Sequence, residues 1–218
     1  MEIYSVVILA DGLFPSSEDL ISKLRGADLL ICCDGAIQEL ETRNIMPDII
    51  VGDLDSISDE NRERYESILY CDPDQESNDL TKAVEFAQRH ITENNLTTRY
   101  SIEVTILGAT GKREDHTLGN ISLLPHYSEI LPTAQIEMLS DWGRMIAIFD
   151  SIELHCKPES SVSIFSFDPT LKIRSAGLKY PTDLVVFDYW WKATLNIASE
   201  SRFSLEFSHP AKVVLFIR

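Results

Sequence analysis

The feature that most constrains this chain is an alternation of short, almost wholly apolar runs with stretches of helical period. Ile3–Ala10 is nearly continuous in hydrophobic residues, and Leu29–Cys33, Ile49–Val51, Ile102–Leu107 and Ile136–Leu139 share that character, with a shorter run at Ile68–Tyr70. A strand that is apolar on both faces is buried on both faces, as in a parallel sheet covered by helices. Between the runs, Ser16–Arg25, Gly35–Arg43, Asp59–Tyr65, Asn78–Ile91 and Glu114–Leu124 read as helices. In the Asn78 helix, Leu80, Ala83, Val84, Ala87 and Ile91 form one stripe at helical spacing. Asn78 or Ser77 can cap it, and Ser16 or Ser17 can cap the first helix. The repeated strand–helix order predicts an α/β domain with a parallel sheet.

After about Trp142 the helical period disappears. Short runs follow at Ile146–Phe149, Ile152–Cys156, Val162–Phe167, Leu184–Phe187, Phe203–Phe207 and Val213–Ile217, separated by Pro158, Pro169, Gly177, Pro181 and Pro210. This spacing predicts a small antiparallel β-sandwich or barrel. The expected organisation is an N-terminal parallel-sheet α/β domain over residues 1–143, then a β-sandwich domain over residues 144–218.

Charge narrows the partners. The 35 acidic and 19 basic residues leave a formal net charge of −16, which repels nucleic-acid phosphate and anionic lipid. No apolar run reaches the ~18 residues of a membrane span. Glu2 stands where a signal peptide would carry a cation, and the first apolar stretch ends in Asp-Gly, so it reads as a strand and the expected location is cytoplasmic. The four cysteines, Cys32, Cys33, Cys71 and Cys156, form no CxxC pair and read as small buried thiols in a reducing compartment.

In a parallel α/β sheet, ligands bind beyond the carboxyl ends of the strands. The unusual residues of this sequence fall there: Asp34-Gly35-Ala36, Gly52-Asp53-Leu54-Asp55-Ser56, and Gly108-Ala109-Thr110-Gly111-Lys112-Arg113-Glu114-Asp115-His116. If the backbone stays extended, Asp53 and Asp55 project to one side. Together they could seat Mg²⁺, which takes one or two protein carboxylates and leaves its other positions to water and phosphate. The competing reading is a solvated acidic turn. Gly52 permits a sharp turn or a close approach of backbone to ligand. Asp79 supplies a third carboxylate or simply favours a helix N-terminus, and Lys82 can pair with it or reach a phosphate. Gly108 and Gly111 permit an anion-cradling backbone, Lys112 adds charge, and Arg113 can fork onto phosphate oxygens. Only two residues separate those glycines and Arg follows the lysine, so this is not a Walker loop. Asp115 and His116 could position a nucleophile, bind metal through water or cap the next helix. Asp34 could equally be a helix cap.

These segments, in this order, together with Asn78-Asp79, Asn120 and the later Gly177-Leu178-Lys179-Tyr180-Pro181, resemble the thiamine pyrophosphokinase family. The resemblance covers nearly the whole chain. It implies transfer of the diphosphoryl group of ATP to the thiamine hydroxyl, yielding AMP and thiamine diphosphate, with Mg²⁺ as cofactor. It implies that Asp53, Asp55 and Asp79 surround the metal and the ATP phosphates. Asp34, Gly35, Lys82, Gly108, Gly111, Lys112 and Arg113 would lie at the nucleotide, with Arg113 and Asp115 shaping the reaction site. A homodimer is implied, with thiamine bound partly on the partner's C-terminal domain. Two departures stand out. The family's common Gly-Gly is Gly111-Lys112 here, and its Ser-Asn pair is Ser199-Glu200, with Ser199 the candidate thiamine contact. Trp190 and Trp191 could stack on the cationic thiazolium or belong to the core or the dimer interface. Two rivals stand beside this reading: a diphosphokinase for a pterin alcohol, and a non-catalytic nucleotide or thiamine sensor.

Overall fold

The computed structural model describes residues 1–218, which divide into two compact units, Met1–Asp141 and Trp142–Arg218.

The first unit contains β1 (Glu2–Leu9), α1 (Glu18–Arg25), β2 (Leu29–Cys33), α2 (Ile37–Glu41), β3 (Ile49–Gly52), α3 (Asp59–Arg64), β4 (Leu69–Cys71), α4 (Asp79–Glu93), β5 (Tyr100–Leu107), α5 (Glu114–Ile130) and β6 (Ala134–Ser140). Its strands lie in the order β6-β5-β1-β2-β3-β4, every neighbouring pair parallel. From β1 the chain moves outward through β2, β3 and β4, then crosses over α4 to return on the other side of β1 as β5. The switch point therefore lies between β1 and β5, whose ends are in register at Leu9 and Leu107. A ligand crevice is expected there.

The apolar runs form strands because both of their faces are covered. Val6, Val7, Ile8 and Leu9 are all at most 1% exposed. Val7 and Leu9 share a core with Leu20 and Leu24 of α1 and Ile37 and Leu40 of α2. The α4 stripe, Leu80, Ala83, Val84, Ala87 and Ile91, is buried, and α4 packs on β1, β2 and β3 and against α5. Each such side chain contributes roughly 1.5–3 kcal/mol of burial if it is large. Helix α5 runs six residues past its expected end, through Pro125. Leu124 and Tyr127 are fully buried, and the Tyr127 hydroxyl lies 3.1 Å from Thr81 Oγ1 of α4. Packing of this kind overrides the lost N–H of an interior proline. Helix α2 is shorter than expected, since Asp34–Ala36 forms a 3₁₀ turn before it.

The second unit contains β7 (Gly143–Ile148), β8 (Ile152–His155), β9 (Ser161–Ser166), β10 (Ile173–Ala176), β11 (Asn196–Ile197), β12 (Arg202–Phe207) and β13 (Val213–Ile217). One antiparallel sheet has the order β11-β9-β13-β7 and the other β10-β12-β8. Val162, Ile164, Val213 and Leu215 from the first sheet meet Ile173, Phe203 and Leu205 from the second in one core, which makes the unit a sandwich.

The strand expected at Leu184–Phe187 is absent. Pro181–Phe187 is a looped segment in which the Thr182 hydroxyl donates to Ile173 O and Val185 N–H returns to Thr182 O. Leu184 is 95% exposed while Phe187 is buried, so the apolar run has no sheet partner. Strands β10 and β11, which lack an apolar run, were not expected from the sequence.

Candidate active site

The acidic loop after β3 is built around Asp34, not around an extended Asp53–Asp55 segment. Asp34 is 1% exposed. Its Oδ1 accepts from Gly35 N–H (2.6 Å) and its Oδ2 from Leu54 N–H (2.9 Å). It caps no helix: the 3₁₀ turn begins after Cys33 without a side-chain cap. The carboxylate instead ties the β2 turn to the β3 loop. A Cβ on Gly52 would stand 2.5 Å from Asp34 Cγ, so the glycine leaves room for this carboxylate. Leu54 takes the left-handed φ of 66°, which breaks the extension the sequence suggested. Asp55 N–H then folds back onto Asp53 Oδ1 (3.1 Å), and Arg62 of α3 donates to Leu54 O at 2.6 Å.

Electrostatics divide these carboxylates. Burial, then the charge of Asp79, pushes Asp34 up to about 6 against the pull of its two N–H donors. Asp53, stabilised first by the Asp55 N–H, is held below the ordinary carboxylate range.

Asp79 begins α4. The Asn78 cap accepts from Thr81 N–H (2.9 Å) and Thr81 Oγ1 (2.8 Å), and its amide donates to Asn120 Oδ1 (3.2 Å). Asn120 in turn donates to Ala109 O (2.8 Å). This chain of amides fixes the start of α4 against α5 and the loop after β5. Lys82, read from the sequence as a partner of Asp79 or a nucleotide contact, pairs with Asp79 Oδ1 at 3.5 Å; it is 2% exposed and does not line the cleft described below.

The basic loop after β5 is shaped by Gly108 and Gly111, at φ of 65° and 88°. It is stapled to the loop after β1: Gly12 N–H donates to Gly108 O (2.5 Å) and Leu13 N–H to Thr110 O (2.8 Å). Both cations are paired. Lys112 Nζ meets Asp11 Oδ1 at 2.7 Å. Arg113 forks onto Asp115 through Nε (3.1 Å) and Nη2 (2.5 Å). That fork pulls the Asp115 carboxyl down to about 2 and raises the guanidinium further.

These loops enclose a cleft of about 260 Å³ at the switch point. It is lined by Asp11 and Gly12 after β1, Asp34 and Gly35 after β2, Ser56, Asn78 and Asp79, and Thr110, Lys112, Arg113, His116, Thr117 and Asn120. Of the residues singled out in the sequence, Asp34, Gly35, Asn78, Asp79, Lys112, Arg113, His116 and Asn120 converge here. Asp53, Asp55, Asp115, Gly108 and Gly111 flank the cleft in sequence without lining it. Asp11 was missed, and Ser56 was named only as the end of its motif. Asp11-Gly12 carries the signal that marked Asp34-Gly35, an acid and a glycine closing an apolar run.

No three His, Cys, Asp or Glu side chains come together closely enough to cage a metal on their own. The donors nonetheless suit Mg²⁺, since all are carboxylate oxygens and the ion needs only one or two of them. Burial raises the Asp34 carboxyl first, and the neighbouring charges of Asp79 and Asp53 add to it, a negative field that a cation would relieve.

In the second unit, Ser199 and Glu200 are exposed, and Ser199 N–H donates to Gly177 O (2.9 Å). The Gly177–Pro181 segment bonds to the 196–199 segment through Lys179 N–H to Ile197 O (2.8 Å) and reciprocal bonds between Tyr180 and Asn196. Trp190 packs edge-on against Phe165 and Phe167, and Trp191 is 68% exposed.

A parallel α/β unit with a charged cleft at its switch point, followed by an antiparallel sandwich, defines a two-domain α/β-plus-β class of chain. Comparison with known families narrows the class. Residues 21–134 match the thiamin pyrophosphokinase catalytic domain, and residues 143–216 match the thiamin pyrophosphokinase substrate-binding domain. The chain belongs to the thiamin pyrophosphokinase family. It is 38% identical over 104 residues to thiamine pyrophosphokinase 3 of Oryza sativa subsp. japonica, covering 45% of this chain and 36% of that one. It is 31% identical over 167 residues to thiamin pyrophosphokinase 1 of Caenorhabditis elegans, covering 73% of this chain and 66% of that one. The matches span about a third of the length of the rice relatives. Among solved structures, thiamin pyrophosphokinase from Candida albicans shares the fold with a TM-score of 0.75 at 21% identity, over 98% of this chain and 88% of that one. Thiamine pyrophosphokinase from Bacillus subtilis does so with a TM-score of 0.75 at 22% identity, over 98% of both chains.

Proposed function

We propose that this chain transfers the diphosphoryl group of ATP to the hydroxyl of thiamine, yielding AMP and thiamine diphosphate. The observation that carries the reading is the convergence of Asp34, Asp79, Lys112 and Arg113 on one switch-point cleft in a chain of this family. In this reading Asp53, Asp55 and Asp79 hold Mg²⁺, which when bound neutralises phosphate oxygens. Lys112 and Arg113 supply the remaining positive charge. Asp115 orients the Arg113 guanidinium through Nε and Nη2 and leaves its other edge to meet phosphate oxygens. Most of the catalysis is then positioning and charge stabilisation. The thiamine hydroxyl attacks the β-phosphorus in line, the bond from that phosphorus to the oxygen shared with the α-phosphate breaks, AMP leaves, and the hydroxyl proton passes to a carboxylate. Asp79 and Asp115 are the candidate acceptors, and Asp115, held near 2 by Arg113, is a weak one while that fork persists. The second unit takes thiamine, with Ser199 as a contact, and the chain works as a homodimer. Of the four thiols expected to be buried, Cys32 and Cys33 are, Cys156 is half-buried and Cys71 is exposed; all four are free, which suits a reducing, cytoplasmic setting. No helix is long and apolar enough to cross a membrane.

One assay tests the whole reading: incubate the chain with ATP, Mg²⁺ and thiamine, then quantify AMP and thiamine diphosphate. Equal amounts of both are expected. Turnover with a pterin alcohol alone would replace the substrate, and ligand binding without product would make the chain a sensor.

A further inference from the structure

The geometry points to Asp11 as an internal competitor for the nucleotide phosphates: its carboxylate holds the Lys112 ammonium until a phosphate group displaces it. This rests on the reading of the cleft as the ATP site and assigns a residue that sets affinity there.

Asp11 and Lys112 stand 101 positions apart, on the loops after β1 and β5, and both line the cleft. Their side chains are 45% and 56% exposed, so the 2.7 Å pair lies within reach of an entering ligand. The pair is not needed to join the two loops, which are already stapled by the backbone bonds of Gly12 and Leu13 to Gly108 and Thr110. Asp11 is also placed by its other neighbour. A Cβ on Gly35 would stand 3.0 Å from Asp11 Oδ2, so the carboxylate lies against the turn that carries Asp34.

The lining thus presents three carboxylates, Asp11, Asp34 and Asp79, and two permanent cations, each already occupied: Lys112 by Asp11 and Arg113 by Asp115. A polyphosphate binding here exchanges one anion for another at Lys112. The half-exposed carboxylate is a weak partner, and a phosphate carrying more charge outcompetes it. The cost of that exchange lowers affinity, and the return of Asp11 to Lys112 assists release. Asp11 balances the charge that Lys112 brings to the loop.

Binding of an α,β-methylene analogue of ATP with Mg²⁺, followed by calorimetry, tests the exchange. Asp11→Asn keeps the shape and frees Lys112, so binding should tighten about 1.5- to 5-fold, the range of a partly exposed ion pair. Lys112→Met leaves Asp11 facing the phosphates and should bind most weakly. Asp11→Asn combined with Lys112→Met should recover part of that loss. The gap between the unaltered chain and Asp11→Asn should narrow as salt is raised. A pair that only braces the loops predicts the opposite for Asp11→Asn: equal or weaker binding with a lowered melting temperature, and that result overturns the proposal. If the unaltered chain binds no analogue, the nucleotide reading itself fails and Asp11 loses its role with it; binding by the unaltered chain that Asp11→Asn does not tighten removes the competitor alone.

Discussion

Three residues show how closely the proposed metal side of the cleft is fitted. Gly52 has no side chain because Asp34 occupies the space where one would stand. Gly52→Ala should displace Asp34, release the Leu54 N–H and cost about 1–3 kcal/mol, the range for overpacking. Urea denaturation would measure it, and a loss under about 0.5 kcal/mol would show that the loop yields freely. Asp34 also sets a pH dependence. Its folded carboxyl titrates at about 6, against about 3.9 when unfolded, so the folded chain holds the proton more tightly. The stability this adds is complete below about pH 4 and is lost as pH rises through 6. In metal-free buffer the unaltered chain should therefore gain more stability than Asp34→Asn between pH 7 and pH 5. Identical slopes would refute the raised titration. Asp53→Ala or Asp55→Ala should each reduce turnover at least 100-fold, as expected for lost charge stabilisation, with melting temperature nearly unchanged because both side chains lie outside the core. Near-normal turnover in either variant at ordinary Mg²⁺ would remove that carboxylate from the site.

Among the elements, α4 does the most for the cleft. One end of it carries Asp79, and its buried stripe anchors it on β1, β2 and β3. Its start is set by Asn78, which bonds both into α4 and across to Asn120 of α5. Asn78→Ala should cost about 1 kcal/mol for the cap and also weaken turnover, since Asp79 follows the cap directly. A stability loss with unaltered turnover would show that the packed stripe alone positions Asp79. The α4 stripe and Asn78 cap were legible in the sequence because both are local signals. The Pro125 continuation of α5 was not, because it depends on Tyr127 finding Thr81 across the unit. The false strand at Leu184–Phe187 failed for the same reason, since an apolar run becomes a strand only where a sheet edge receives it.

For the molecule as a whole, the second unit leaves an apolar surface within residues 180–195. Leu184, Trp191 and Leu195 are 95%, 68% and 76% exposed. Large apolar side chains exposed within one short segment are candidates for an association surface, in keeping with the proposed homodimer. Light scattering after gel filtration should give twice the chain mass, and Leu184→Glu with Trp191→Glu should reduce it to one. A monomeric unaltered chain at micromolar concentration would count against the dimer.

The sequence alone determined the fold class, because unbroken apolar runs and a helical stripe are physical requirements that can be read locally. It also placed the reactive segments at strand ends, and through its resemblance it pointed to the family. Only the tertiary structure decided how those segments meet. It turned Asp34 from a helix cap into a tie between two loops, bent the Asp53–Asp55 segment at Leu54, buried Lys82 and brought Asp11 to Lys112. Each of those outcomes depends on contacts between residues distant in sequence, and no local pattern encodes a distance across a sheet.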